Sequence, residues 1–214
     1  MNSIFRKSAL SVAGLLMTGG AVAVPAIAAE TAPAKPAIAV QAEEPPGQDK
    51  KVLDHDYQRQ PNSYYCAPAA TRIALSTQGK TPSQREVAEK LGTTKAGTQS
   101  ADDTTRVLNE MTGGGYETTE IDGPTAQPAQ VDELRADVVE AVDGKRGVVA
   151  NTMGTAVDTE GRRHSFPGGH YVTIIGYRDN GEVVQIADPY DQRKHYWMSD
   201  DKVATWIAER GYSS

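Results

Sequence analysis

An α+β fold, with helices first and an antiparallel sheet after them, is what the sequence predicts for residues 51–214. Two observations carry this. Helical signals, with apolar residues three and four apart behind capping residues, crowd between positions 66 and 142. Short apolar or alternating runs rich in Val, Ile and Tyr follow from position 147 onward. Segregated helices and strands of this kind build helices against an antiparallel sheet, and the length suits one domain with one core.

The 50 residues ahead of that domain have another composition. Arg6 and Lys7 precede an apolar run from Ala9 to Ala23, and Ala26-Ile27-Ala28 supplies a small-x-small site before Ala29-Glu30. This is the pattern of a secretory signal peptide, residues 1–28, cleaved after Ala28. The apolar run contains Thr18-Gly19-Gly20 and stops at Pro25, too short for a robust membrane span. Residues 29–50 are rich in Ala, Pro, Glu and Gln and hold no aromatic residue, which predicts a disordered linker. Cleavage removes two cations and no acid, so the formal charge of −6 becomes −8. That balance argues against a nucleic-acid partner and gives no basic patch for a membrane surface.

Within the domain, Ala69 to Leu75 forms a helix whose first turn holds Pro68, where a missing N–H costs nothing. Thr81-Pro82-Ser83-Gln84 reads as a capping box with proline at the first helical position, opening a helix to about Leu91 that Gly92 ends. Ser100 to Asp103 opens a third helix, to about Met111, and Gly113-Gly114-Gly115 is a loop. A fourth runs from about Ala129 to Val142, with Val131, Leu134, Val138, Val139 and Val142 on one face and Gly144 after it. Strands are expected at 116–121, 147–153, 169–177, 182–187 and 194–198, and a last helix at 200–210 with Val203, Trp206 and Ile207 inward.

The chemistry centres on Cys66, the single cysteine, which forms no internal disulfide. It stands where an aromatic extended segment turns into the first helix. Unpaired N–H groups and the helix dipole favour a thiolate there. A nucleophilic cysteine needs an imidazole to manage its proton, and the imidazole needs an acceptor on its other nitrogen. His170 opens the most strongly patterned strand, and Asp188 ends the next one. If Asp179-Asn180-Gly181 is a three-residue loop with Gly181 left-handed, Arg178 opposes Glu182 and Asp188 becomes the same-face diagonal neighbour of His170. A two-residue turn at Asn180-Gly181 would send the two side chains to opposite faces. Gln60, six residues ahead of Cys66, can donate its amide to a developing oxyanion beside the Cys66 N–H.

The boxes Gln60-x5-Cys66-Ala-Pro-Ala-Ala, Gly169-His170-Tyr-Val and Ala187-Asp188-Pro189 resemble the papain-like cysteine peptidases related to bacteriocin-processing, double-glycine leader peptidases. The likeness is to their stand-alone form, often secreted by bacteria, and covers about residues 52 to 214. It implies a papain-like cysteine peptidase fold, no cofactor, and roles for Gln60, Cys66, His170 and Asp188 as oxyanion donor, nucleophile, general base and orienting acid. The family usually has glycine after the nucleophile; here Ala67 is expected to narrow the space beside the thiol. Tyr64 and Tyr65 are candidates to line the cleft, and residues 154–167 are expected to form a solvated loop or a flap over it. His55 and His195 lack partners at metal-ligand spacing, so no metal is expected.

The expected function is secreted hydrolysis of peptide or amide bonds through an acyl-enzyme, with a peptide or protein substrate, cell-wall peptide included. A transamidase or cell-wall amidase would use the same triad. A catalytically silent peptide-binding module would use the cleft alone.

Overall fold

The structure, a computed structural model, describes residues 49–214. The expected signal peptide and all but the last two residues of the expected linker lie outside the described residues.

Three helices come first. They are α1 (Cys66–Ser76), α2 (Gln84–Leu91) and α3 (Ala101–Thr112), after a two-residue strand β1 (Lys51–Val52). β2 (Thr118–Glu120) and α4 (Pro128–Asp143) lead into the long strands β3 (Val148–Val157) and β4 (Arg163–Arg178). β5 (Val183–Ala187), β6 (His195–Ser199), α5 (Asp200–Ile207) and β7 (Gly211–Ser213) follow. The strands form one antiparallel sheet in the order β2-β7-β3-β4-β5-β6, and β1 pairs with β4 beyond the end of β3.

Alternation along β3 and β4 places helices on both faces of this sheet. Val148, Ala150, Val172 and Ile174 join the core that holds α4 and α5, whereas Val149 and Tyr171 point the other way, into a core with α1, α2 and α3. Central strands buried on both faces read as continuous apolar runs, as Tyr171 to Tyr177 does. A buried polar contact fixes α1 to the sheet, the Thr173 hydroxyl donating to the Ala70 carbonyl at 2.7 Å. Arg72, 3 % exposed, turns back from α1 and donates to the carbonyls of Pro82 and Asp56 and to the Asp56 carboxylate, pinning the segment that carries Gln60.

Four expectations need correction. The cap of α2 is Ser83, whose hydroxyl accepts from the Glu86 N–H at 3.1 Å; Pro82 precedes it, and Thr81 plays no part. Residues 154–167 are neither loop nor flap but the far end of the β3–β4 hairpin, paired from Gly154↔Phe166 to Val157↔Arg163. Its turn is held by Asp158, whose carboxylate accepts the N–H groups of Glu160 and Arg162 at 2.9 Å each. β1 and β7 were missed, being two and three residues long and without readable period.

The fourth correction concerns the hairpin on which the site depends. Arg178 pairs with Val183, not Glu182, leaving a four-residue turn in which Asp179, Asn180 and Gly181 all have positive φ. By itself that register would put His170 and Asp188 on opposite faces. A bulge intervenes, because Gly176 faces Gln185 while Ile174 faces Ile186, so Ile175 is the extra residue. Past the bulge, Thr173 pairs with Ala187, the register a three-residue loop would have given.

Candidate active site

Cys66 is the first residue of α1, and Tyr65 is the cap residue. Its own N–H has no acceptor within the helix. The thiol is half-buried against His170. Burial pushes its pKa up, but hydrogen bonding and charge from His170, with the N–H groups of Tyr171 and Ala67, outweigh burial and hold it below that of a free thiol.

The imidazole is gripped from the other side. His170 Nε2 donates to Asp188 Oδ1 at 2.7 Å, which leaves Nδ1 for the thiol. Phe166 stacks on the ring with centroids 3.9 Å apart, and Tyr190 meets it edge-on at 6.3 Å. Burial lowers the His170 pKa, but the Asp188 bond and the Cys66 interaction more than reverse this and raise it to about 9. The two directions agree. A lowered thiol and a raised imidazole favour thiolate and imidazolium together at neutral pH.

Asp188 is fully buried, yet every oxygen is used. Oδ1 also accepts from the Tyr190 N–H at 2.8 Å, Oδ2 accepts from the Tyr196 hydroxyl at 2.9 Å, and its carbonyl accepts from the Tyr57 hydroxyl at 3.0 Å. Burial opposes ionisation, and the His170 bond and charge, with the Tyr190 N–H and Tyr196 hydroxyl, keep the carboxyl below its usual range. Tyr196 and Phe166 were not foreseen as site residues. Tyr196 comes from an expected strand, where it reads locally as core, and Phe166 from the segment expected to be a loop or flap.

Gln60 is 9 % exposed, and its N–H donates to the Pro189 carbonyl at 3.0 Å, which ties it to the Asp188 loop. Its amide Nε2 donates to the Asn62 carbonyl at 2.7 Å, and its buried Oε1 has no partner among the described residues. Gln60 is absent from the walls of the cleft at Cys66. That cleft, about 140 Å³, is bounded by Tyr64, Lys95, Asn151, Gly169, Tyr171 and Arg210, among others. Tyr64 thus lines it as expected, while Tyr65 stacks edge-on against Tyr64 at 5.4 Å. Asn151 donates to the Tyr171 hydroxyl at 3.0 Å and forms part of the wall.

The expectation about Ala67 is also corrected. Ala67 is fully buried among Ala70, Ala74 and Leu75, so its Cβ packs into the core and not into the cleft. His55 and His195 meet each other, Nε2 to Nε2 at 2.8 Å, across 140 positions of sequence. His55 Nδ1 donates to the Leu53 carbonyl, so when both rings are neutral His195 is the donor between them. Burial first, then His55 and Lys194, lowers the His195 pKa.

Residues 52–214 match the model of the peptidase C39-like family. No curated protein matches the chain. Among solved structures, a C39-like peptidase from Bacillus anthracis aligns with a TM-score of 0.54 at 14% identity, covering 77% of this chain and 96% of that one. UfSP from C. elegans aligns at 0.50 and 15% identity, over 82% of this chain but 35% of its own length. The peptidase domain of Streptococcus ComA, a bifunctional ABC transporter involved in quorum sensing, aligns at 0.49 and 16% identity, over 77% and 96%. At such identities the first two likenesses speak for the fold, which is the papain-like α+β arrangement.

Proposed function

The chain belongs to the peptidase C39-like family, and from that premise we propose that it is a secreted cysteine peptidase that hydrolyses peptide or amide bonds through Cys66, His170 and Asp188. The single observation that supports this best is the relay itself: a thiol at a helix N-terminus against an imidazole whose Nε2 bonds a buried carboxylate at 2.7 Å.

In this reading the Cys66 thiolate attacks the substrate carbonyl carbon and forms a C–S bond. The oxyanion is met by the Cys66 N–H, and by the Gln60 amide once it exchanges the Asn62 carbonyl for the new acceptor. Imidazolium His170 gives its proton to the nitrogen as the C–N bond breaks. Water then attacks the thioester, His170 takes its proton, and Cys66 leaves as thiolate. Asp188 remains ionised throughout and fixes the ring.

Export is part of the proposal and rests on the sequence of residues 1–28 alone. The test is to incubate residues 29–214 with a proteome-derived peptide library and read the products by mass spectrometry. New termini formed by the parent and not by Cys66→Ala support peptidase action. Joined peptides in place of hydrolysed ones would assign transamidation, and identical spectra from both proteins would refute the proposal.

A further inference from the structure

Just beyond the histidine the surface becomes strongly basic. A cavity of about 360 Å³ lies there, its lining including Arg59, Arg162, Arg163 and Arg193, with Tyr190 as one wall and Asp191 as the one carboxylate. Two of the guanidiniums are committed. Arg162 holds the Asp158 carboxylate at 2.9 Å and also Glu160, and Arg193 reaches Glu160 at 3.4 Å. Asp191 is occupied as well, accepting from the Arg193 N–H at 2.7 Å and lying 3.5 Å from the His164 ring. Arg59 and Arg163 are exposed and have no carboxylate at ion-pair distance among the described residues. Arg59 rests over the Tyr190 ring at 5.8 Å. Arg162 and Arg193 are balanced by Asp158 and Glu160, so Arg59 and Arg163 are the charges round this cavity that ion pairing within the fold does not account for.

The chemistry of the site says which part of a substrate would lie here. His170 has to protonate the departing nitrogen, so the leaving half sits against the imidazole. Tyr190 touches that imidazole edge-on and is also a wall of the arginine cavity. In the same reading the acyl half takes the cleft at Cys66, whose walls include Gly169 and Asn151 and none of the four arginines. We propose that this cavity binds a carboxylate on the leaving half of the substrate, with Arg59 and Arg163 as its uncommitted partners. The proposal rests on the peptidase reading for its direction. The carboxylate belongs either to an acidic side chain or to the free end of a peptide, and guanidinium forks suit both.

The test uses binding, so that it does not depend on turnover. Four peptides, Ala-Ala-Ala-Glu and Ala-Ala-Ala-Gln, each as free acid and as amide and carrying the same neutral dye, are titrated by fluorescence anisotropy into the Cys66→Ala protein. Peptides with a carboxylate should bind about tenfold more tightly than the Gln amide. Adding Arg59→Glu or Arg163→Glu should abolish the difference without moving the melting temperature, since both side chains are exposed. An advantage kept by the Glu amide assigns a side-chain carboxylate; one kept by the Gln acid assigns a terminal one. Equal binding of all four peptides, or a preference that survives both arginine substitutions, overturns the proposal. Cleavage by the parent without any such preference would sink this inference alone. A preference without cleavage of any peptide would sink the peptidase reading and leave a carboxylate-binding cleft.

Discussion

Replacing Asp188 by asparagine isolates the charge in the relay from its geometry. The amide oxygen can take the place of Oδ1 and keep the bonds from His170 and the Tyr190 N–H, while the amide nitrogen faces the Tyr196 hydroxyl, which can turn to accept. The charge is lost. His170 is raised from 6.5 to about 9, which corresponds to roughly 3 kcal/mol in favour of the imidazolium after burial has been overcome. Of the two Asp188 influences the hydrogen bond is the larger and survives in the amide, so loss of the charge should lower the imidazolium ratio by about tenfold. The thiolate, deprived of a charged partner, should fall about tenfold at neutral pH.

Iodoacetamide alkylation against pH reads the thiolate directly. The parent curve should rise through a value below that of a free thiol, and the Asp188→Asn curve should be displaced upward, with alkylation at pH 7 about tenfold slower. The sign for turnover follows. The reactive pair appears as pH rises through the lowered Cys66 value and is lost as His170 deprotonates near 9, so the parent kcat/KM profile is bell-shaped and the variant's alkaline limb moves down. Coincident alkylation curves for parent and variant would refute the reasoning that Asp188 sustains the ion pair.

Two further outcomes follow from particular contacts. Gln60→Ala should lower kcat by about 10²–10³ on any cleaved substrate while leaving Cys66 alkylation unchanged, because alkylation builds no oxyanion; unaltered turnover would move the oxyanion site elsewhere. Gly176→Ala should destabilise by about 1–3 kcal/mol in urea unfolding, since a Cβ there would stand 2.4 Å from the Lys51 carbonyl oxygen and 2.9 Å from the Val52 Cα, backbone atoms that cannot give way cheaply. Faster hydrogen exchange at the Leu53 amide, which bonds the Ile175 carbonyl at 2.8 Å, would locate the damage at β1.

The site was legible where chemistry interrupts pattern. Cys66 stands at a helix boundary, and His170 and Asp188 stand at the ends of apolar runs, so local sequence marks all three. What surrounds them was not legible, because Tyr196 looks like an ordinary strand residue and Phe166 lies in a segment that reads as loop or flap, until the sheet brings them to the carboxylate and the imidazole. The arginines at 162 and 163, beside Gly161, suggested a solvated loop; the decisive feature is Asp158, whose carboxylate closes a tight turn and lets the strands run on. The turn after β4 was misread in length because Asp179 and Asn180 join Gly181 at positive φ, a conformation few residues favour. The pairing of His170 with Asp188 was expected for a reason only half right: the bulge at Ile175 restores the register that the turn does not supply.

That bulge makes β4 behave like a message read in two frames. On the His170 side the alternation runs through Val172 and Ile174, and on the turn side it restarts so that Tyr177 faces the same core and its hydroxyl reaches Asp143 at 3.0 Å. Loss of one residue from the turn is a punctuation error, since Arg178 and Val183 can still pair. Loss of Ile175 would merge the two frames, with Gly176 following Ile174 in one regular ladder and every other side chain keeping its face, at the cost of the buried side chain between Ile73 and Ala187. Loss of a paired residue such as Val172 is the frameshift, since one half of the strand would then have to turn its buried side chains the wrong way. Tolerance to single-residue deletion along this hairpin should therefore be sharply uneven, high at 179–182, intermediate at the one strand position whose side chain has no opposite number, and lowest at the paired residues on either side of it.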